Sequence, residues 1–219
     1  MDAYRTEEEQ IEAIKGAWAK YGNSVVTGVL AAVSVVFAYK WWDASNIEQA
    51  EAASDAYEQV IEAQQAAFAE GASDEDQTNL VSLANALVEN HDGSTYALMT
   101  SLLLAKLDVE KGELDSGAKH LQWVIDQKPN EGIALTAKVR LAKVYIAQEK
   151  LDEALGLIEG QASASHKVSI EELKGDIYRL KNELDKARTA YQLAASAAKS
   201  NGGFVNPLLQ MKIDDLATP

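Results

Sequence analysis

Cysteine is absent from this 219-residue chain, which excludes disulfides, thiol nucleophiles and thiolate metal sites together. Proline occurs 3 times and glycine 13 times, so few residues interrupt helices, whereas the helix-favouring residues alanine, leucine, glutamate, glutamine and lysine are common. The apolar share of 47% is enough to bury one sizeable core. The composition therefore predicts an all-α chain with one main domain.

Basic residues are also scarce, with 20 Lys and Arg against 34 Asp and Glu and a net charge of -14. Nucleic-acid binding requires clustered cations that neutralise phosphates, so nucleic acid is not an expected partner. Residues 41–105 contain 12 acidic residues and no Lys or Arg. This acidic stretch is either a solvated surface that keeps the domain soluble or a patch that steers a basic partner.

Motifs for catalysis are missing from the sequence. The three histidines stand far apart, outside any metal-ligand spacing, and are His91, His120 and His166. Adjacent carboxylates such as Glu171-Glu172 and Asp214-Asp215 point in different directions on a helix and cannot flank one substrate bond. No Gly-rich phosphate loop or nucleophile elbow occurs. We predict a protein without enzymatic activity, cofactor or metal; an enzyme whose site escapes sequence motifs would need a concave cluster of titratable groups.

One long apolar run lies near the N-terminus. The 19 residues between Lys20 and Lys40 carry no charge, and with Trp41 and Trp42 they suffice to cross a hydrocarbon core about 30 Å thick. Residues 25–38 are apolar on every face, unlike a surface helix. Aromatic rings stand at both ends, where they suit the headgroup layer. The sequence predicts a transmembrane helix at 21–42.

Two other structures fit such a run, namely a buried core helix and a cleaved signal peptide. A core helix would be flanked by amphipathic partners, whereas this run is bracketed by charges. A signal peptide would end in small residues, whereas residues 39–43 are bulky and charged. An uncleaved signal anchor is therefore the preferred interpretation.

The basic residues near the span predict its orientation. Arg5, Lys15 and Lys20 precede it, and only Lys40 follows it before Lys106. Because cytoplasmic flanks carry more Lys and Arg, residues 1–20 should be cytoplasmic. The chain from 43 onward would then be periplasmic, in a cell of the Gram-negative type.

Small residues form a stripe along the predicted span. Ser24, Gly28 and Ala32 recur every four residues and so share one helix face. Such a face allows another membrane helix to approach closely. We predict a membrane helix-contact stripe there.

Three congruent segments follow, near 98–129, 135–166 and 168–199. Each contains two small residues 12 positions apart, with a large residue four positions after the second one. The small pairs are Ala105 and Gly117, Ala142 and Ala154, and Gly175 and Ala187, and the large residues are Leu121, Ile158 and Tyr191. Small residues let two helices approach and a large one fills the groove beside them. Each segment is therefore predicted to be a helical pair.

This pattern resembles the tetratricopeptide repeat, which places an aromatic residue three positions after the first small one. Tyr145 and Tyr178 match that position, Asp108 departs from it, and Pro129 ends only the first repeat. Residues 48–70 and 80–88, joined by a polar turn at 71–79, are predicted to be upstream helices. A capping helix is predicted at 206–216, which would close a repeat domain spanning 43–219.

The full order of segments resembles the YfgM-like family. The resemblance is carried by the acidic stretch 9–15, the anchor ending in residues 39–42, the repeats, and the tail 210–216. It implies an inner-membrane protein with a periplasmic tetratricopeptide-like domain that acts as an ancillary subunit of the SecYEG translocon. It further implies a PpiD-like membrane-anchored chaperone and unfolded exported proteins as partners, and no catalytic residues. An envelope scaffold that joins division or cell-wall assemblies through its repeats would have the same sequence features.

Overall fold

The computed structural model describes residues 7–161 and 165–216. All regular elements in these two ranges are α-helices, which confirms the all-α prediction. The helices are α1 (Glu7–Ala67), α2 (Asp74–Asn90), α3 (Thr95–Glu110), α4 (Leu114–Asp126), α5 (Glu131–Ala147), α6 (Leu151–Ile158), α7 (Lys167–Leu180), α8 (Leu184–Ser200) and α9 (Pro207–Asp215).

The chain divides into two compact units, Met1–Ala52 and Ala53–Pro219. The described part of the first unit is helical and belongs to α1. Its apolar side chains are exposed along the whole predicted span, with Phe37 at 70% and Trp41 at 77%. Among the described residues, α1 alone is long and apolar enough to cross a membrane. Exposed apolar rings and β-branched side chains over this length suit a lipid environment.

Within the second unit, α2 begins six residues earlier than the sequence predicted. The segment 74–79, which was expected to belong to a polar turn, is the first part of this helix. Ser73 starts it with a capping box, because its hydroxyl accepts from the Asp76 N–H at 3.2 Å and the Asp76 carboxylate accepts from the Ser73 N–H at 2.8 Å. This reciprocal pairing satisfies two backbone donors that a free helix end would leave open.

The helix pairs α3/α4, α5/α6 and α7/α8 are joined by the same turn. In each, the N–H at the start of the second helix donates to a carbonyl five residues back, at 2.8 Å; the bonds are Glu113 to Asp108, Lys150 to Tyr145, and Glu183 to Tyr178. The preceding residue is left-handed in every case, with φ of 82° at Gly112, 62° at Glu149 and 60° at Asn182. This is a Schellman turn, which ends one helix and starts the next within three residues.

The core is a chain of neighbouring clusters. Val60 of α1 packs with residues of α2 and α3, Leu121 of α4 with α3 and α5, and Ile158 of α6 with α5 and α7. Tyr191 of α8 packs with α9. Each cluster takes residues from consecutive helices, as expected for stacked repeats that bury a continuous core only together.

In the first two repeats, the Leu-Asp pair that opens the second helix links the repeat to the next one. Asp115 accepts a hydrogen bond from the Gln148 side chain at 2.8 Å, and Asp152 forms an ion pair with Lys181. Gln148 and Lys181 are the first residues after α5 and α7. Each aspartate therefore reaches the end of the first helix of the following repeat.

The helix α9 lies against the last repeat. Asn206 caps it by accepting from the Leu208 N–H at 2.9 Å, and Pro207 occupies the first turn, where its missing N–H costs nothing. Leu209 and Leu216 are buried beside Tyr191. These contacts cover an apolar surface that a terminal repeat would otherwise expose to water.

Candidate protein-interaction surface

The predicted membrane stripe is exposed in the structure. Ser24, Gly28 and Ala32 all lie open along α1, and a β-carbon added at Gly28 would meet no atom within 4 Å. The face is therefore accessible to another helix. Contact with a membrane partner stays a prediction.

The six small residues of the repeats are all buried. They fall on the helix pairs in order: Ala105 and Gly117, Ala142 and Ala154, Gly175 and Ala187. The large residues that follow them are buried as well, with exposures of 1% for Leu121 and 0% for Ile158 and Tyr191.

Two of the small positions require glycine. A β-carbon at Gly117 would lie 3.1 Å from the Ala105 carbonyl oxygen and 2.9 Å from a methyl carbon of Val109. A β-carbon at Gly175 would come within 2.3 Å of the Tyr191 ring. Contacts this short exceed what side-chain packing tolerates. The helices of the first and third pairs therefore approach one another at these glycines.

A polar network surrounds the Tyr191 ring at the C-terminal end. Its hydroxyl donates to Asp176 at 2.8 Å, and the Lys212 ammonium of α9 lies 2.7 Å from Asp176 and 2.8 Å from Glu172. Burial of the phenol and its bond to Asp176 raise the pKa of Tyr191 above its usual range. Partial burial lowers the pKa of Lys212, but its bonds to Asp176 and Glu172 outweigh this and raise it. Charge and packing together hold α9 in place.

The aromatic position of the repeat carries a cation contact in two repeats. The Lys150 ammonium lies 5.6 Å from the Tyr145 ring centre and that of Lys186 lies 5.4 Å from Tyr178. In the first repeat Asp108 takes this position, and its carboxylate lies 3.5 Å from His120 of α4. A polar pair therefore replaces the aromatic contact where the sequence departs from the repeat pattern.

A cavity that sequence reasoning missed opens between α3, α4 and α5, with a volume of about 410 Å³. We call it the α3–α5 cavity. Its floor contains Ala105, Leu121 and Val144, all core residues with exposures of 1 to 4%. A depression that reaches an apolar core is suited to receive an apolar side chain.

The rim of the α3–α5 cavity is charged, with Lys106 and Glu110 on α3 and Arg140 and Lys143 on α5. Lys106 and Glu110 form an exposed pair at 3.6 Å. Arg140 donates to the Leu102 carbonyl oxygen at 3.4 Å. Comparing the repeats at their 33-residue offset would have revealed these rim residues, because Arg140 aligns with the apolar Leu173.

No group of three or more His, Asp or Glu side chains that could hold a metal occurs among the described residues. The histidines occupy separate places: His91 ends α2, His120 lies on α4, and His166 precedes α7. Glu171 and Glu172 have different partners, Lys174 and Lys212. The geometry of the second unit is that of a repeat domain with an apolar, cation-rimmed cavity.

Comparison with known proteins agrees with this architecture. A protein-family model described as a tetratricopeptide repeat-like domain matches residues 15–218. The chain is similar to the ancillary SecYEG translocon subunit of Escherichia coli (strain K12), with 26% identity over 99% of this chain and 100% of the relative. The protein of the same name from Aggregatibacter actinomycetemcomitans is 26% identical over 98% of this chain and 100% of its own length.

A third relative, the ancillary SecYEG translocon subunit of Buchnera aphidicola subsp. Schizaphis graminum (strain Sg), is 30% identical over 63% of this chain and 69% of its own length. No solved structure matches the chain. The likeness runs from the apolar helix through the repeats to the terminal cap, and the anchor and helical fold fit an inner-membrane protein. Both resemblances are thereby confirmed, and the chain belongs to the YfgM-like family of tetratricopeptide repeat-like proteins.

Proposed function

We propose that this protein is a membrane-anchored interaction module that serves as an ancillary subunit of the Sec translocon and helps hand exported proteins to periplasmic chaperones. The supporting observation is the end-to-end match, covering 99% of this chain and 100% of a relative named ancillary SecYEG translocon subunit. A repeat domain with an apolar cavity has the features of a surface that binds polypeptides. Its role is that of an adaptor rather than an enzyme.

In the proposed topology, residues 1–20 are cytoplasmic, 21–42 cross the inner membrane, and 43–219 form the periplasmic repeat domain. The excess of basic residues before the span supports this orientation. A tether at the translocon raises the effective concentration of the repeat domain near an emerging chain. Weak contacts with a PpiD-like chaperone or an unfolded client are then sufficient.

Site-specific photo-crosslinking in intact membranes tests the function. A crosslinking residue at Gly28 or Ala32 should capture translocon subunits, whereas one at Leu30, on the opposite helix face, should capture fewer. A crosslinking residue at Lys143 on the cavity rim should capture a PpiD-like chaperone or exported chains, and Lys119 on α4 provides the matched control. Capture of envelope-assembly proteins alone would reject the translocon role and favour a scaffold of division or cell-wall complexes.

Topology has a separate test, because the chain has no native cysteine. Gly16 and Gly93 have open space around a β-carbon, so single cysteines there should not disturb packing. A membrane-impermeant maleimide should label Gly93→Cys from the periplasm and leave Gly16→Cys unlabelled until the membrane is permeabilised. The reverse pattern would invert the proposed orientation.

A further inference from the structure

The two successive interfaces between repeats differ. Between the second and third repeats, α7 packs against α5, and Leu173 and Ile177 of α7 are buried in the shared cluster. Between the first and second repeats the corresponding helices share a cluster with Leu121 of α4, and the α3–α5 cavity opens beside that cluster. There, Arg140 reaches across to the Leu102 carbonyl oxygen. The first interface therefore leaves an apolar space that the second one fills.

Two cations at this cavity occupy positions that serve the packing of the repeats elsewhere in the domain. At the 33-residue offset, Arg140 corresponds to Leu173 and Lys143 to Asp176. Leu173 is 4% exposed and completes the second interface, while Asp176 holds Lys212 of the cap. Cations at the corresponding positions of the first interface consequently face an open cavity.

These cations stand out in an acidic protein. The net charge is -14, yet the cavity rim has Lys106, Arg140 and Lys143 against the single carboxylate of Glu110. Lys106 forms an ion pair with Glu110. Within the described ranges, neither Arg140 nor Lys143 forms an ion pair with a carboxylate. A local positive potential over an apolar floor favours a ligand that combines an apolar group with negative charge.

The apolar surface continues beyond the cavity. Lys106 lies 5.3 Å from the ring centre of Phe68, which is 53% exposed, and both residues line a second depression beside the end of α1. Glu110 borders a third depression, together with Phe68 and Lys111. The α3–α5 cavity and these two depressions together offer a second apolar contact, Phe68, and one more cation, Lys111. A ligand longer than one side chain, such as a polypeptide segment, fits this layout.

We propose that the α3–α5 cavity binds a segment of a partner polypeptide that inserts an apolar side chain onto the Ala105–Leu121–Val144 floor and places adjacent carboxylates against Arg140 and Lys143. This inference rests on the proposed interaction role and specifies the chemistry of the segment that is bound. Binding requires a partner segment that combines apolar and acidic residues. It does not depend on which membrane complex surrounds the anchor.

The test uses the purified full chain in detergent and a short fluorescein-labelled peptide with a central Leu-Phe pair flanked by glutamates. Binding is followed by fluorescence anisotropy. Replacing the glutamates by lysines, or the Leu-Phe pair by alanines, should each abolish measurable binding. Arg140→Glu combined with Lys143→Glu should weaken affinity for the acidic peptide about tenfold or more, since like charges then face its carboxylates.

Lys119→Glu is the control, because it reverses one cation, half the charge change of the cavity pair, at an exposed position of α4 outside the cavity. It should leave affinity nearly unchanged, and unfolding curves should show that all variants are equally folded. Equal binding of the lysine peptide, or equal losses from the cavity pair and from Lys119→Glu, would overturn the inference. Because the peptide assay contains no translocon, its failure is distinguishable from a failure of the crosslinking experiment.

Discussion

Gly175 and Tyr191 meet so closely that a β-carbon on the glycine would lie 2.3 Å from two atoms of the aromatic ring. The ring is completely buried and covers the backbone of α7. At the corresponding positions the other repeats combine alanine with Leu121 or Ile158. The larger side chain in the third repeat therefore requires the smaller partner, because the two helices share a limited volume.

Gly175→Ala should consequently destabilise the repeat domain by about 2 to 3 kcal/mol, as overpacking forces the ring or the helix to move. Gly156→Ala on α6 is the control, because its β-carbon would meet nothing within 4 Å. That change should stabilise by about 0.5 to 1 kcal/mol through helix propensity alone. Denaturant unfolding of the full chain, followed by circular dichroism, measures both. Equal effects of the two changes would contradict the close-packing interpretation.

The left-handed turn residues yield a second prediction. Glu149 has φ of 62° and an exposed side chain, so Glu149→Gly should raise the free energy of unfolding by about 1 kcal/mol by removing backbone strain. Gly112 occupies the same place in the first repeat with φ of 82°, and Gly112→Ala should lower that free energy by a similar amount. Opposite signs in chemical unfolding are the expected outcome, and equal signs would reject a shared turn geometry.

The raised pKa of Tyr191 predicts how the stability of the folded protein responds to alkaline pH. Burial and the Asp176 hydrogen bond raise the pKa of this phenol in the folded protein above its ordinary value of 10.0. Its contribution is fully present below pH 10 and is lost as the pH rises toward the folded pKa, because deprotonation then favours the unfolded chain. Lys212, whose pKa is also raised, acts with the same sign.

Tyr191→Phe should therefore cost about 1 kcal/mol at neutral pH, through the lost hydrogen bond, and should lose less stability than the parent protein between pH 10 and 11. Tyr178→Phe removes a phenol from the same repeat without touching the Asp176 network and should follow the parent curve. Thermal unfolding across this pH range provides the measurement. Parallel curves for the parent and Tyr191→Phe would show that another group governs the alkaline response.

The links between repeats differ in their expected salt dependence. Asp152→Ala removes an exposed ion pair with Lys181 and should cost about 0.5 kcal/mol at low salt and less at high salt. Asp115→Ala removes a bond to the neutral Gln148 side chain, and its cost should depend less on salt. Unfolding midpoints at two ionic strengths separate the two cases. An identical salt response would argue against Asp152 acting through charge.

Several features of the fold were predictable because they depend on local sequence. The positions of Ala142, Ala154 and Ile158 follow helical spacing, so their burial in one cluster results from the same periodicity that predicts a helix pair. The beginning of α2 was misjudged because the polar run 74–79 looked like a turn, although Ser73 and Asp76 form a capping box. Ser73 and Asp76 stand three positions apart in the sequence, which is the spacing that a capping box requires.

By itself, the sequence determined the helical class, the apolar span and the repeat spacing, since each depends on residues within a few turns of one another. Only the tertiary structure decided that a cavity opens between α3 and α5 while Leu173 and Ile177 of α7 are buried against α5, and that Lys212 reaches Glu172 forty residues away. The spacing between repeats depends on how side chains from several helices pack together. The periodicity of any single helix does not determine this packing. The apolar cavity and the arrangement of cations at its rim result from that packing.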